Sequence, residues 1–414
     1  MSIRRRMAEA MKKVYDSAGG GKQGSRTVER AFREGDFDTK DFSIRSLAEA
    51  TMGRDWVESG RPTGGAQYLE EGAGGGAVDH TAFSNLTTTV ISGLMDEPDR
   101  EADLNASDDL ARTVPTQYEQ GEKVIGLRRV GREANRVIRP GESYGRYGFG
   151  EDWQMKPDTE KRGGIVELTK EAIVEDRTGR ILDAARTLID EARQNKNERI
   201  LKAVLGIDNS IFMPKGVAEP TYTTATTGQD DNARVNLVTS GIELLDWTDI
   251  DEAQQLWADM RHKDTGRPIQ IADGRMRLIV MPAKKYLARQ ILNATEVETG
   301  DVTAAGGRRK TANPLAQEQI DLMVSNLMYE LLTRSATDPY NPGAGLVAAT
   351  AKKRWYMGDF ARAFEYLENW PLTAVTMGPG SYAEWDRDVV FGVKVSEKGT
   401  PAVNDPRYVL QLRG

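Results

Sequence analysis

The chain contains two histidines, His80 and His262, and no cysteine. Those counts limit the chemistry first. Disulfides, thiolate metal sites and cysteine nucleophiles are excluded. His80 falls in a glycine-rich connector and His262 just after a predicted helix. Neither has a second histidine at metal-ligand spacing. A Ser-His-Asp relay is not supported, because no G-x-S-x-G element presents a nucleophile on a sharp turn.

Three further clusters invite a chemical reading. The glycine runs "GGGKQGS" (19–25) and "GAGGGA" (72–77) resemble phosphate loops, but the first lacks the GxxxxGK[ST] spacing and a strand before it. Both read as flexible linkers. In "DEPDREADLNASDD" (96–109), Asp99, Glu101 and Asp103 have the alternation of a calcium loop. Leu104 stands where such a loop needs glycine, and no glutamate closes it at the twelfth position. This is an acidic turn, either solvated or facing a basic neighbour. No metal site and no cofactor is expected.

The remaining signal is basic and aromatic. "RVGREANRVIR" (129–139) and "YGRYGFGEDW" (144–153) interleave arginine with rings, and "AAGGRRKTANP" places Arg308, Arg309 and Lys310 in a glycine-containing loop. Rings with arginines can stack single-stranded nucleic acid, and they are also what protein interfaces favour. The interface is the preferred reading for Arg128, Arg129, Arg139, Tyr144, Arg146, Tyr147, Phe149 and Trp153. Arg308–Lys310 read as a solvated loop or as a charged lip against another subunit or nucleic acid.

The elements that must position these residues follow from patterning. Residues 1–117 look like an arm. Within it are a short basic helix ended by the glycines at 19–21, and a helix in "DFSIRSLAEATMG" with Ile44, Leu47, Ala48 and Met52 on one face, capped by Ser43 and ended by Gly53. "TAFSNLTTTVISGLMDE" (81–97) is ambiguous in type. From 118 to 165 the pattern is a two-stranded excursion turning at Pro140-Gly141 and returning through "GGIVELTKEAI". A lone hairpin is marginal in water, so something else must pack on it.

"RTGRILDAARTLIDEARQNKNERILKAVLG" (177–206) is the strongest helix, roughly 40 Å long at ~1.5 Å per residue. Ile181, Ala185, Leu188, Ala192, Ile200 and Val204 form its stripe, Thr178 can cap it and Gly206 can end it. Residues 243–376 mix elements. "WTDIDEAQQLWADMRH" and "AKKYLARQIL" are helical, "RMRLIVMPA" is a buried strand, and "GLVAATAKKRWYMGD" and "WPLTAVTMG" read as further strands. In the last thirty residues, Val389, Phe391, Val393 and Val395, then Tyr408, Leu410 and Leu412, alternate as strands.

The totals agree with a surface-rich protein. At 414 residues the chain can bury one large core or two to three smaller ones. Its hydrophobic fraction of 39% and mean hydropathy of -0.55 are low for a compact enzyme of this length. Net charge is -7, so nothing overall marks a nucleic-acid binder. No run approaches the ~18 apolar residues of a membrane span, and "MSIRRRMAEAMKK" lacks the apolar region of a secretory signal. A soluble, cytosolic product is expected.

The order of parts resembles the major capsid proteins of tailed bacteriophages, the Hong Kong 97-type fold. The stretches that carry the likeness include "DFSIRSLAEATMGRDWV", "AVDHTAFSNLTTTVISGLMDE", "LIVMPAKKYLARQILNATEV" and "RDVVFGVKVSEKGTPAVNDPRYV", within coverage from Phe42 to the end. The resemblance implies an α+β fold with an N-arm (1–117), an E-loop (118–165), a P-domain (166–242 and 377–414) and an A-domain (243–376). It implies a structural, non-enzymatic protein that self-assembles as hexamers and pentamers into an icosahedral shell around double-stranded DNA. The implied partners are the chain itself, scaffolding, portal and head-completion proteins, and DNA contacted non-specifically, with no membrane. The implied location is the virion capsid, assembled in the bacterial host cytoplasm. Some relatives cross-link an E-loop lysine. Lys123, Lys156 and Lys161 lie in or beside the excursion, but no motif singles one out. An encapsulin-like cellular nanocompartment shell shares the fold and is the alternative. The resemblance further implies that the last strands return beside the long helix, with Asn404-Asp405-Pro406 as their turn.

Overall fold

A computed structural model describes residues 3–34, 36–37, 42–51, 85–91, 109–117, 123–130, 137–140, 142, 148–169, 180–224, 235–260, 268–271, 274–300, 308–339, 341–377, 386–387 and 389–413. His80 and His262 lie outside them, as do most of the acidic run 96–109 and the second glycine run. In chain order the strands are β1 (Arg112–Pro115), β2 (Lys123–Val130), β3 (Gly148–Met155), β4 (Glu160–Thr169), β5 (Met213–Pro214), β6 (Leu237–Val238), β7 (Arg277–Val280), β8 (Glu296–Gly300), β9 (Arg308–Ala312), β10 (Asp321–Val324), β11 (Trp355–Gly358), β12 (Phe364–Met377), β13 (Val389–Val403) and β14 (Val409–Leu412). They form sheets in the orders β1-β12-β13-β4, β10-β7-β11-β14-β6, β2-β3-β5 and β8-β9. Helix and sheet are mixed as expected. The chain divides into two compact units, each with its own core.

One unit comprises Met1–Arg100, Lys161–Asn195 and Trp370–Lys398. Its helices include Ile3–Ser17, Gly21–Glu34, Ile44–Thr51 and residues 85–91. The last of these shows the described part of the ambiguous segment to be helix. Ala8, Met11 and Tyr15 fall on one helical face and share a buried cluster with Leu47, Ala48, Leu86 and Val90. Ser46 N–H donates to Ser43 Oγ at 3.1 Å and Ser43 N–H donates to Ser46 Oγ at 3.0 Å, a reciprocal cap on Ile44–Thr51. Phe32, Phe37 and Phe42 form a triangle with every pair of ring centroids 5.9 Å apart.

The glycine run 19–25 is a built turn and helix start, which corrects the linker reading. Gly19, Gly20 and Gly21 take φ of 86°, 65° and 55°, values that L side chains rarely adopt. Gly21 N–H donates to Tyr15 Oη at 2.9 Å, and Asn85 Nδ2 donates to the same oxygen at 2.7 Å. A Cβ on Gly24 would stand 2.6 Å from Tyr15 Cδ2. The tyrosine therefore stacks where only glycine leaves room.

Val393 and Val395 of β13 are buried in the same cluster as Ile189 of the long helix, which spans Arg180–Leu205. This strand therefore returns beside the long helix, as the resemblance implies, and the stripe residues Leu188 and Ala192 pack against the same cluster. Thr178 and the Phe391 side chain lie outside the described residues.

The other unit comprises Glu101–Glu160, Lys196–Asn369 and Gly399–Gly414. Its centre is the five-stranded sheet, where β7 has Leu278, Ile279 and Val280 fully buried and β11 is buried throughout. A strand covered on both faces reads as a continuous apolar run, which is why "RLIVM" was legible. The helix Trp247–Asp259 packs there through Ile250, Ala253 and Trp257, and is started by a capping box between Asp246 and Asp249.

Two expectations are corrected here. "GLVAATAKKRWYMGD" is half helix: Ala348–Lys353 is helical before β11 begins, as its alanines and lysines favour. The two late strands also do not stay together. β13 belongs to the four-stranded sheet, whereas β14 enters the five-stranded sheet beside β11, with Trp355 opposite Leu412 and Gly358 opposite Val409. The switch is made at the expected turn, where the Asp405 side chain accepts from Arg407 N–H and Pro406 opens a short 3-10 turn. β11 has an open ladder that β14 satisfies.

The long helix ends at Gly206, φ 66°. Gly206 N–H donates to Ala203 O at 3.1 Å and Ile207 N–H to Lys202 O at 3.0 Å, a Schellman arrangement. Tyr222 Oη donates to Val204 O at 2.6 Å and Tyr356 Oη to Leu205 O at 3.4 Å, so two further end carbonyls are satisfied. Burial, then the neighbouring Tyr356, pushes the Tyr222 pKa well above its ordinary value; burial also raises that of Tyr356.

Candidate functional site

Two ribbons carry the basic and aromatic segments. In the first, β2 pairs antiparallel with β3 from Lys123 opposite Met155 to Val130 opposite Gly148. This register places Arg128 opposite Gly150 and Arg129 opposite Phe149. Arg139, exposed, sits at the predicted turn, where its carbonyl accepts from Glu142 N–H at 3.0 Å. Its own N–H donates to Glu142 Oε2 at 3.1 Å. Tyr144, Arg146 and Tyr147 lie outside the described residues.

In the second ribbon, β8 pairs with β9, Glu298 opposite Lys310 and Thr299 opposite Arg309. Arg308, Arg309 and Lys310 are therefore strand residues, which corrects the loop reading. Lys310 is exposed. The β-ladder supplies the partners that a loop would lack.

The base of the first ribbon is fastened within the chain. β5 continues its sheet through Gln154 opposite Pro214 and Met155 opposite Met213. Trp153 O accepts from Lys215 N–H at 3.1 Å, and a Cβ on Gly216 would stand 3.0 Å from the Trp153 ring. Part of the Trp153 surface is thus already covered. Gln154 Nε2 donates to Val403 O at 2.5 Å. Lys156, just past β3, is buried in an ion pair with Glu365 of β12, which Arg112 approaches at 3.8 Å.

The same strand meets the next cations, which the long helix carries. Lys196 Nζ lies 3.2 Å from Glu368 and 4.6 Å from the centre of the Tyr366 ring. Arg199 donates to Tyr366 Oη at 3.2 Å and to Gly399 O at 3.0 Å. Charge-assisted and cation–π contacts of this kind fix long side chains in one geometry. The sequence reading missed this row. Its signal was "FEYLENW", where Glu365 and Glu368 interrupt an apolar strand and call for buried partners.

Asp109, the last residue of the acidic run, faces a basic group of its own chain: Arg277 lies 3.5 Å from its carboxylate and donates to its carbonyl at 2.9 Å. Among the described residues no group of three or more His, Cys, Asp or Glu could hold a metal ion. Nor is any described helix long and apolar enough to cross a membrane.

The described residues thus give one ribbon fastened at its base within the chain and no metal-binding cluster. Residues 154–412 match the model of a family described as phage capsid protein. The chain belongs to this family and is a structural major capsid protein. It is also similar to solved capsids. These include the mature capsid of bacteriophage PhiM1 (13% identity, TM-score 0.43, 74% of this chain and 86% of that one). Gordonia phage Cozz matches at 13% identity and TM-score 0.41 over 84% and 98%. The cyanophage Pam1 capsid matches at 12% and 0.41 over 76% and 92%. No curated protein matches it. The assignment rests on the family match.

Proposed function

We propose that this chain is the repeating unit of an icosahedral shell, arranged as hexamers and pentamers around the double-stranded DNA of a tailed phage or prophage. The observation that carries this reading is the capsid family match over residues 154–412. It favours a phage head over an encapsulin-like compartment. In this reading the protein is structural and not an enzyme. It assembles in the host cytoplasm with scaffolding, portal and head-completion proteins, and contacts DNA without reading its sequence.

Residues 1–117 then act as the N-arm, 118–165 as the E-loop, 166–242 with 377–414 as the P-domain, and 243–376 as the A-domain. β14 joins its strand to the sheet of the last. The ribbon β2–β3 supports the E-loop role, because its base is tied to β5, Val403 and Glu365 while its sequence beyond the base carries arginines and rings. Arg128, Arg129, Arg139, Tyr144, Arg146, Tyr147, Phe149 and the open part of Trp153 would meet a neighbouring copy, as would Arg308, Arg309 and Lys310. Repetition of modest contacts around a closed lattice gives a durable shell without disulfides.

The test is electron microscopy of the purified full chain, alone and with its candidate scaffold. Closed shells or capsomer rings are expected. A protein that stays strictly monomeric and folded under all these conditions overturns the reading.

A further inference from the structure

One end of the five-stranded sheet holds cations that the ribbons do not use. β11 and β14 pair with Trp355 opposite Leu412. One step further along this antiparallel ladder, Arg354 stands opposite Arg413. Arg354 is 7% exposed and Arg413 is half-buried. The Nε of each is buried with no hydrogen-bond partner. The nearby carboxylate of Glu243 is held by Lys353 at 2.9 Å, and Lys284 donates to the Glu243 carbonyl.

Like charges directly opposite on a ladder repel. A guanidinium withdrawn from water also needs an acceptor for its donors. Burial, and then the neighbouring Arg354, draws the Arg413 pKa below its ordinary value. Arg354 already shares a hydrogen bond with the buried Tyr356 hydroxyl, but the Nε donor of each arginine is unused, and two neighbouring guanidinium groups match the flat fork of one oxyanion.

We propose that Arg354 and Arg413 form a socket for one carboxylate, supplied by a second copy of this chain when subunits assemble. The inference rests on the shell reading. Its surroundings argue for a protein source. Leu245, two residues past Glu243, is 63% exposed, Tyr286, two past Lys284, is 79% exposed, and Val347 opens the helix that carries Lys353 and is 73% exposed. Exposed apolar groups that flank these charged residues in the chain suit a protein contact better than a free phosphate. The chain offers the complementary charge, with 63 acidic against 56 basic residues.

The experiment compares the full-length wild type with Arg354→Gln/Arg413→Gln and with Arg413→Gln alone. Folding is read by near-ultraviolet circular dichroism, and assembly by sedimentation and microscopy. The double variant is expected to fold while the concentration needed for assembly rises at least about ten-fold, as for loss of a desolvated interfacial charge pair. Sodium phosphate, occupying the socket, is expected to raise the melting temperature of free wild-type subunits, not of the variant, and to inhibit wild-type assembly. If the double variant misfolds, Arg413→Gln, at the half-buried strand end, supplies the same readout. Assembly at wild-type concentration by a folded variant overturns the socket and leaves the shell reading standing. Phosphate binding at the pair with no effect on assembly assigns it to a free oxyanion and overturns the second-copy source. A wild type that forms no shell or ring overturns both.

Discussion

Lys156 and Glu365, 209 positions apart in the chain, form an ion pair in which each side chain is only 8% exposed. Lys156 follows the last strand of the ribbon and Glu365 is the second residue of β12. The pair therefore sets where the ribbon leaves the body. Removing one partner of a buried pair strands the other charge, whereas replacing both often costs little. Lys156→Met is expected to destabilise the fold by about 3–5 kcal/mol in urea unfolding. Lys156→Met/Glu365→Leu should recover most of that loss. Equal destabilisation by the single and double variants would show that the charges are not coupled.

Shortening the ribbon separates folding from assembly. Replacing residues 127–151 with Asn-Gly joins β2 to β3 beyond the Gly126–Asp152 pair and keeps Trp153, Gln154 and Lys156. Asn-Gly suits a two-residue hairpin. The shortened chain should unfold within about 1 kcal/mol of the parent, the scale of a single lost hydrogen bond, and form no shells by microscopy. Normal shells from this variant would remove the ribbon from the assembly contacts.

The tyrosines at the end of the long helix give a pH dependence. The folded Tyr222 pKa lies above the ordinary value near 10.0. A raised folded value means that its stabilisation is complete below about pH 10 and is lost as pH rises from there toward the folded pKa. Tyr222→Phe should cost about 1 kcal/mol at neutral pH, from the hydrogen bond to Val204 O. It should also flatten part of the alkaline fall in melting temperature. An alkaline fall as steep in the variant as in the parent would assign it to other groups.

Packing under the helix can be tested at β13. Val393 is 1% exposed beside Ile189 and Val395. Val393→Asp buries an unpaired carboxylate, at a cost of several kcal/mol. Loss of soluble, folded subunit is expected, read by near-ultraviolet circular dichroism. Gly163→Ala should weaken the same region, because its Cβ would stand 2.2 Å from Val395 O. A folded, monomeric Val393→Asp protein would place that strand elsewhere.

Local rules were enough for many elements. Alternation marked β13 and β14, the apolar run marked β7, and the stripe and Gly206 marked the long helix, because each depends on neighbours along the chain. The excursion and its turn at Arg139–Glu142 were legible for the same reason. So was the family, through the order of several stretches. The partners of those elements were not. Whether β14 continues beside β13 or crosses to β11 depends on which ladder is open, and that is known only once the sheets exist. "GGGKQGS" has the composition of a linker; Tyr15 and Asn85, 70 residues apart, make it a packed turn. The buried charges Lys156, Glu365 and Arg354, and the half-buried Arg413, are ordinary in sequence, since burial is a property of the folded surface. Sequence alone determined the period of the strands, the C-terminal end of the long helix at Gly206 and the capsid family. Tertiary structure alone decided strand partners and which charges leave water, because both depend on contacts between residues far apart in the chain.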